Sequence, residues 1–369
     1  MEKIVAAVRG TDKFSSFQEL LKVSQFDDVL LAAFKNSGKE KGDFKIIIKP
    51  NMMVFVNPKD HTAIVTDKDL VESLVDHLIN LGFNNIMVCE AQNDVGRMLK
   101  NHNVEFVAGQ IGFEPKGRYK IVDLTLESVP YKYIYKDKKG NTRKWKHSVG
   151  RSWMEADFRI TFPKCKTHEH DWMTLGVKNV YGCLPKPNKV AVYHIRYEVF
   201  DVTARSLLSF PVHFSFIDAW VGSDGFQGYK IANPQKLNML FGGGDIVAVD
   251  MEIFKRAGLD PHKSIFLKKT VEQLYDGAYP TYTVKGDKDT KFSQLCDWKN
   301  IEDKIVQGID VMEEVYIAWG FINLKAISTL VDYKMFPPKN FFYRLLVWLS
   351  KKLYGFFKLF KWYRKLYKR

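Results

Sequence analysis

The sequence predicts an α/β protein: a mostly parallel sheet with flanking helices, a β-hairpin insertion and a C-terminal amphipathic helix. Three observations carry that expectation. Short β-prone apolar runs alternate with longer segments of helical period, the pattern of strand–helix–strand units. Three of the runs hand over to polar residues at their C-terminal ends, where parallel sheets bind ligands. Apolar residues make up 46% of 369 and charged residues 27%, enough apolar material for a large buried core.

In chain order, residues 4–8 form the first β-prone run. Residues 17–34 repeat with helical spacing, placing Leu20, Leu21, Val29, Leu30 and Phe34 on one side. FKIIIK at 44–49 is a buried strand followed by Pro50 and Asn51. Residues 67–81 predict a helix with Val71, Leu74, Val75 and Leu78 inward and Gly82 as its stop. Residues 85–89 predict a strand ending in Glu90. Short alternating segments over 120–147 flank Lys139-Gly140-Asn141, the signal of a hairpin insertion near 115–150. Residues 158–162 and 213–217 predict buried strands, the second ending at Asp218. Residues 196–209 look helical, and Asp245 caps a helix to about Arg256 with Gly258 past its end. The chain thus divides into an α/β unit over 1–336 and a basic tail over 337–369.

Charge and cysteine usage exclude several classes. The formal net charge is +14, but nine Lys or Arg and no acid lie in 341–369. The basic excess belongs mainly to the tail, and no nucleic-acid partner is expected. Cys89, Cys165, Cys183 and Cys296 contain no C-x-x-C pair, which argues against a zinc ribbon, an iron–sulfur cluster and a disulfide framework. The N-terminus lacks the apolar core of a signal peptide, and no run of about 18 apolar residues predicts a spanning helix. A cytoplasmic setting is expected.

The densest chemistry lies in ITFPKCKTHEHDWMTLGVKNVYGCLPKPNKVAVYH. It holds Lys164, Lys166, His168, His170, Lys178, Lys186, Lys189 and His194. Lysines gathered at a strand end suit a carboxylate or phosphate, and histidines there can move protons or ligate a metal. A solvated basic loop explains the same composition. Lys49 and Asn51 at one strand end, Lys164 and Lys166 at another, and Asp218 with Asp224 and Gly225 at a third converge on one crevice. The acids there balance the lysines, bind a divalent ion or supply a base, unless the Asp-Gly pair is only a turn. GGGD at 242–245 is either a phosphate cradle or a tight turn with a helix cap. Asp250 faces the site or is a paired structural acid.

The pieces IIIKPNMM (46–53), FRITFPKCKTHEHDWMTLGVKNVYGCLP (158–185), YH (193–194), FIDAWVGSDGFQG (216–228) and GGGDIVAVDMEIFKRAG (242–258) resemble the domain of unknown function 362 family. The resemblance covers most of 40–262 and implies an α/β fold without an established reaction. Many members carry a Cys-rich ferredoxin module, which this sequence lacks. A second resemblance, to lactate racemase with its nickel–pincer nucleotide, rests on the intervals His168, Lys178, His194. It implies Lys178 as the tether and the two histidines as nickel ligands or proton carriers. The racemase's Gly-Arg-Lys-like run is GVK here.

In the tail, Arg344, Lys351, Lys358 and Lys365 recur every seven residues, as do Phe342, Leu349, Phe356 and Tyr363. On a helix this separates a basic face from an aromatic–aliphatic one, the form that lies in an anionic membrane surface or docks on a partner or on the protein itself. Pro337-Pro338 is expected to separate it from the folded unit. The expectation is therefore a membrane-attached enzyme on the inner face. It would act on a small or lipid-linked anionic substrate held by Lys49, Asn51, Lys164, Lys166, Asn179, Asp224 and Gly225. His168, Lys178, His194 and Asp218 would carry the chemistry. The alternative is a non-catalytic binding or accessory protein using the same pocket.

Overall fold

Buried strands and amphipathic helices build one large sheet covered on both faces. The computed structural model describes residues 2–54, 56–57, 62–137, 139–168, 171–189, 192–193, 199–224, 233–292 and 331–357. The first half comprises β1 (Ile4–Arg9), α1 (Lys13–Val23), α2 (Phe26–Ser37), β2 (Ile46–Pro50), α3 (Lys68–Asn80), β3 (Ile86–Glu90), α4 (Val95–Met98), α5 (Val104–Ile111) and β4 (Lys120–Asp123). The hairpin β5 (Ser128–Lys136) and β6 (Thr142–Gly150) follows, then α6 (Arg151–Glu155), β7 (Phe158–Phe162), β8 (Lys164–His168), β9 (Trp172–Thr174) and α7 (Gly176–Val180). The remainder is α8 (Val199–Ser209), β10 (Phe214–Asp224), β11 (Asn233–Gly243), α9 (Ile246–Arg256), α10 (Ile265–Leu274), β12 (Thr283–Gly286) and α11 (Phe341–Phe357).

Among the described residues the main sheet has ten strands, with the path β12-β1-β11-β10-β7-β2-β3-β4. Along that path β11 alone runs against the others. From β2 the chain moves outward through β3 to β4, then returns to lay β7 on the other side of β2. The strand order therefore reverses between β2 and β7. The crevice outside their C-terminal ends is a topological switch point, where open α/β sheets bind ligands.

Strands buried on both faces read as continuous apolar runs. Ile46 and Ile48 pack with Phe17, Leu70 and Leu74 on one face, while Ile47 packs with Val177, Val180 and Val247 on the other. The expected 17–34 helix is two helices. Gln25 takes a positive φ of 56° between them. The turn sends Phe26 inward, edge-on to Phe214 with ring centroids 4.9 Å apart.

Two further boundaries differ from the sequence reading. Lys120–Asp123 pairs parallel with β3 in the main sheet, so the hairpin proper is β5–β6. It docks through Tyr131 on Phe210, with centroids 4.6 Å apart. β10 runs past Asp218 to Asp224, because its first half pairs with β7 and its second half with β8. Asp218 thus sits inside a strand, level with Lys164.

Residues 331–339 return to the main body rather than separating from it. Phe336 is fully buried beside His102, with ring centroids 5.3 Å apart. Lys100 N donates to Pro337 O at 2.7 Å, and Lys339 donates through N to Met98 O and through Nζ to Gly96 O. α11 begins two residues later. Its Phe341, Phe342, Leu345, Trp348 and Leu349 side chains are exposed. Among the described residues no helix is long and apolar enough to cross a membrane.

Candidate functional site

The switch point is built around Lys49, the penultimate residue of β2. Its side chain is 1% exposed, and Nζ donates to Glu90 Oε2 at 2.7 Å, Pro50 O at 2.7 Å and Asn179 Oδ1 at 3.2 Å. Glu90 ends β3, the next strand, and is equally buried. Asn179 hangs from α7 over the gap between the strands. Its Nδ2 donates to Lys49 O at 2.8 Å and Thr161 Oγ1 at 2.9 Å, so one amide ties β2 to β7. Gly182 closes the cluster from above. A Cβ there would lie 2.7 Å from Lys49 Nζ and 2.8 Å from Glu90 Oε1, so no side chain fits.

α7 is held at its N-terminus by a carboxylate. Asp250 on α9 accepts from Gly176 N at 2.9 Å and Val177 N at 2.8 Å. That resolves Asp250 as a structural acid that positions Asn179. Asp171 does the same for α10, accepting from Ser264 Oγ at 2.6 Å and Ile265 N at 2.7 Å. Burial pushes both carboxyls up to about 7, against the pull of the N–H groups they accept. Folded-state values above the unfolded 3.8 mean that the folded chain binds more protons between about pH 4 and pH 7. Stability contributed by these two groups is therefore greatest at the acid end and is lost as pH rises toward 7. Asp171→Asn with Asp250→Asn is expected to flatten that slope in urea midpoints taken between about pH 5 and pH 8. An unchanged slope would sink the assignment.

A second buried pair lies one strand over. Lys164 Nζ and Asp218 Oδ2 are 2.5 Å apart, and both side chains are almost wholly buried. Asp218 also accepts from Asp67 N at 2.8 Å and Trp220 N at 3.1 Å, which ties β10 to the start of α3. Lys166 Nζ donates to Ile64 O at 3.1 Å. Asn51 is anchored through N to Thr66 Oγ1 at 2.8 Å, and among the described residues its buried Oδ1 has no hydrogen-bond partner.

The expected residues therefore fall into groups. Lys49, Asn51 and Asn179 come together at the switch point, and Lys164 with Asp218 forms the neighbouring pair. Lys178 lies apart from Asn179 on the same short helix, with Nζ 6.0 Å from the Phe266 ring centroid and its charge lowering Asp171. His168 ends β8, opposite Trp172, and Asp224 ends β10 opposite Asn233. His170, His194, Gly225 and Cys296 lie outside the described residues, so the His168–Lys178–His194 triple is not assembled within them. GGGD is a strand end and cap: Gly242 and Gly243 belong to β11, and Asp245 accepts from Ala248 N at 2.9 Å.

Lys189 was present in the Lys/His stretch but nothing in the sequence ranked it above its neighbours. It is 6% exposed, and Nζ donates to Gly182 O at 3.0 Å and lies 5.2 Å from the Tyr181 ring centroid. Among the described residues no carboxylate oxygen comes within ion-pair distance of it. Burial, reinforced by the Lys49 charge and only partly offset by the Glu90 charge, pushes its amine down to about 8. Glu90 was likewise read only as a strand end. Its partner Lys49 was the available signal, since a lysine closing an all-apolar strand needs a nearby acid. Cys89 and Cys183 meet beside this cluster, where burial raises the Cys89 thiol.

A family model described as "Domain of unknown function (DUF362)" matches residues 46–255, the span from β2 to α9 that holds every residue of this cluster. The "Thylakoid-associated protein sll1697" of Synechocystis sp. is 31% identical over 116 residues, covering 29% of this chain. The chain spans about a third of that relative's length, 35%.

Proposed function

We propose, for a chain that belongs to the domain of unknown function (DUF362) family, an enzyme that applies lysine acid–base chemistry to a small or lipid-linked anionic substrate at a membrane surface. The observation that carries the reading is Lys189, a buried amine without a paired carboxylate beside a sheet's ligand-binding crevice. An amine near 8 supplies free base at neutral pH while remaining able to return the proton. Perturbed groups of this kind gather at functional sites. Lys49 and Lys164 are neutralised by Glu90 and Asp218, whereas among the described residues no carboxylate pairs with Lys189, so its protonated form suits an anion. Asn51 Oδ1 supplies an acceptor without a partner among the described residues. The exposed apolar side chains of α11 support the surface placement, as does the relative whose name describes it as thylakoid-associated.

The test is solvent deuterium exchange into a panel of small 2-hydroxy and 2-oxo carboxylates. Exchange is expected with the whole chain, with a rate that rises through about pH 8, and is expected to be lost in Lys189→Met. Binding of panel members without exchange would sink the enzyme reading and leave a binding protein.

A further inference from the structure

The β5–β6 hairpin carries a cleft of about 740 Å³ that the switch-point chemistry does not use. Its walls include Tyr131, Lys132, Lys146 and His147 from the hairpin and Lys186 and Val192 from the loop that holds Lys189. Among the described residues no Asp or Glu lines it. In the hairpin register Lys132 stands directly opposite Lys146. Like charges placed opposite one another across a strand pair repel. Among the described residues neither lysine makes an ion pair, nor does Lys186, in contrast to the neutralised Lys49 and Lys164. The cleft is also preformed. His147 stacks on Trp145 with centroids 4.4 Å apart and packs on Tyr193 at 5.2 Å, and Ile134 N is held by Ser209 Oγ.

We propose that this cleft is a binding site for an organic phosphate carrying at least two negative charges. The phosphates neutralise Lys132, Lys146 and Lys186, and the apolar body lies against Tyr131 and Val192. The volume is that of a small-molecule site. Multiply charged phosphate oxygens answer three lysines lining one cleft better than a single carboxylate does. The site does not depend on Lys189 and stands if the proposed reaction fails.

Calorimetric titration of the whole chain with ADP, and with inorganic pyrophosphate as the charge-only probe, tests it. Saturable one-to-one binding of ADP is expected. Lys132→Gln with Lys146→Gln is expected to weaken it by about tenfold or more. Lys116→Gln, at an exposed lysine paired with Glu114 elsewhere on the surface, is expected to leave it unchanged. The double variant is also expected to unfold at the same temperature as the parent or higher, since it removes a repulsion. Non-saturable uptake, equal weakening by Lys116→Gln, or full binding by the double variant would each overturn the proposal. So would a double variant that unfolds well below the parent.

Discussion

Glu90→Gln is expected to destabilise the folded chain by about 3–5 kcal/mol, because it leaves the Lys49 ammonium buried without its counter-charge. Lys49 is 1% exposed and cannot reach water without moving β2. Two neutral acceptors, Pro50 O and Asn179 Oδ1, remain to it. The glutamine amide also turns a donor toward backbone N–H groups: Ala91 N and Met52 N now point at the Glu90 oxygens, at 3.1 and 3.5 Å. Replacing both members of a buried pair removes the uncompensated charge. Lys49→Met with Glu90→Gln is therefore expected to recover most of the lost stability. Urea midpoints of the two single variants and the double complete the cycle. If the single variant unfolds with the parent, the pair does not hold the crevice together.

Removal of residues 341–369 is expected to abolish binding to anionic vesicles while leaving the unfolding midpoint of the body unchanged. The segment carries nine Lys or Arg and no acid. Near an anionic surface each basic residue contributes about 1 kcal/mol, so the loss is large. The apolar contribution comes from one helix face, since Phe341, Leu345 and Trp348, with Phe342 and Leu349, follow the spacing of a single stripe. The cut is placed after Asn340 so that Phe336 and the Lys339 bonds to Met98 and Gly96 stay in place. Flotation with neutral and anionic vesicles separates charge from apolar insertion, and added salt should weaken only the charge contribution. A truncated chain that floats as well as the full one would remove α11 from the surface reading.

Most of the sheet was legible because buried parallel strands are short and uniformly apolar. Phe158–Phe162 and the helix capped by Asp245 stand where the pattern puts them. Local signals failed where tertiary pairing decides. The extension of β10 beyond Asp218 depends on β8, which lies some fifty residues earlier in the chain. The break at Gln25 has no glycine or proline to announce it. In the crevice, residue type was readable from the sequence and burial was not. Lys49, Asn51 and Asn179 were legible as strand-end and loop polar groups. Lys189 was one lysine among many, because what sets it apart is its burial against Gly182 and Tyr181, which no spacing encodes.

The 331–339 strap has a mechanical consequence. It grips α4 and the turn after it, and Asp94, the residue before α4, is close enough to act on the charge of Lys189. The joint between Lys339 and α11 is a single residue long. A chain lying on a bilayer through α11 would thus be held on a very short leash fastened at the rim of the crevice. Its body could swivel little about that joint. For a ligand confined to the bilayer, search would collapse from three dimensions to two, and its effective concentration at the rim would exceed its bulk value.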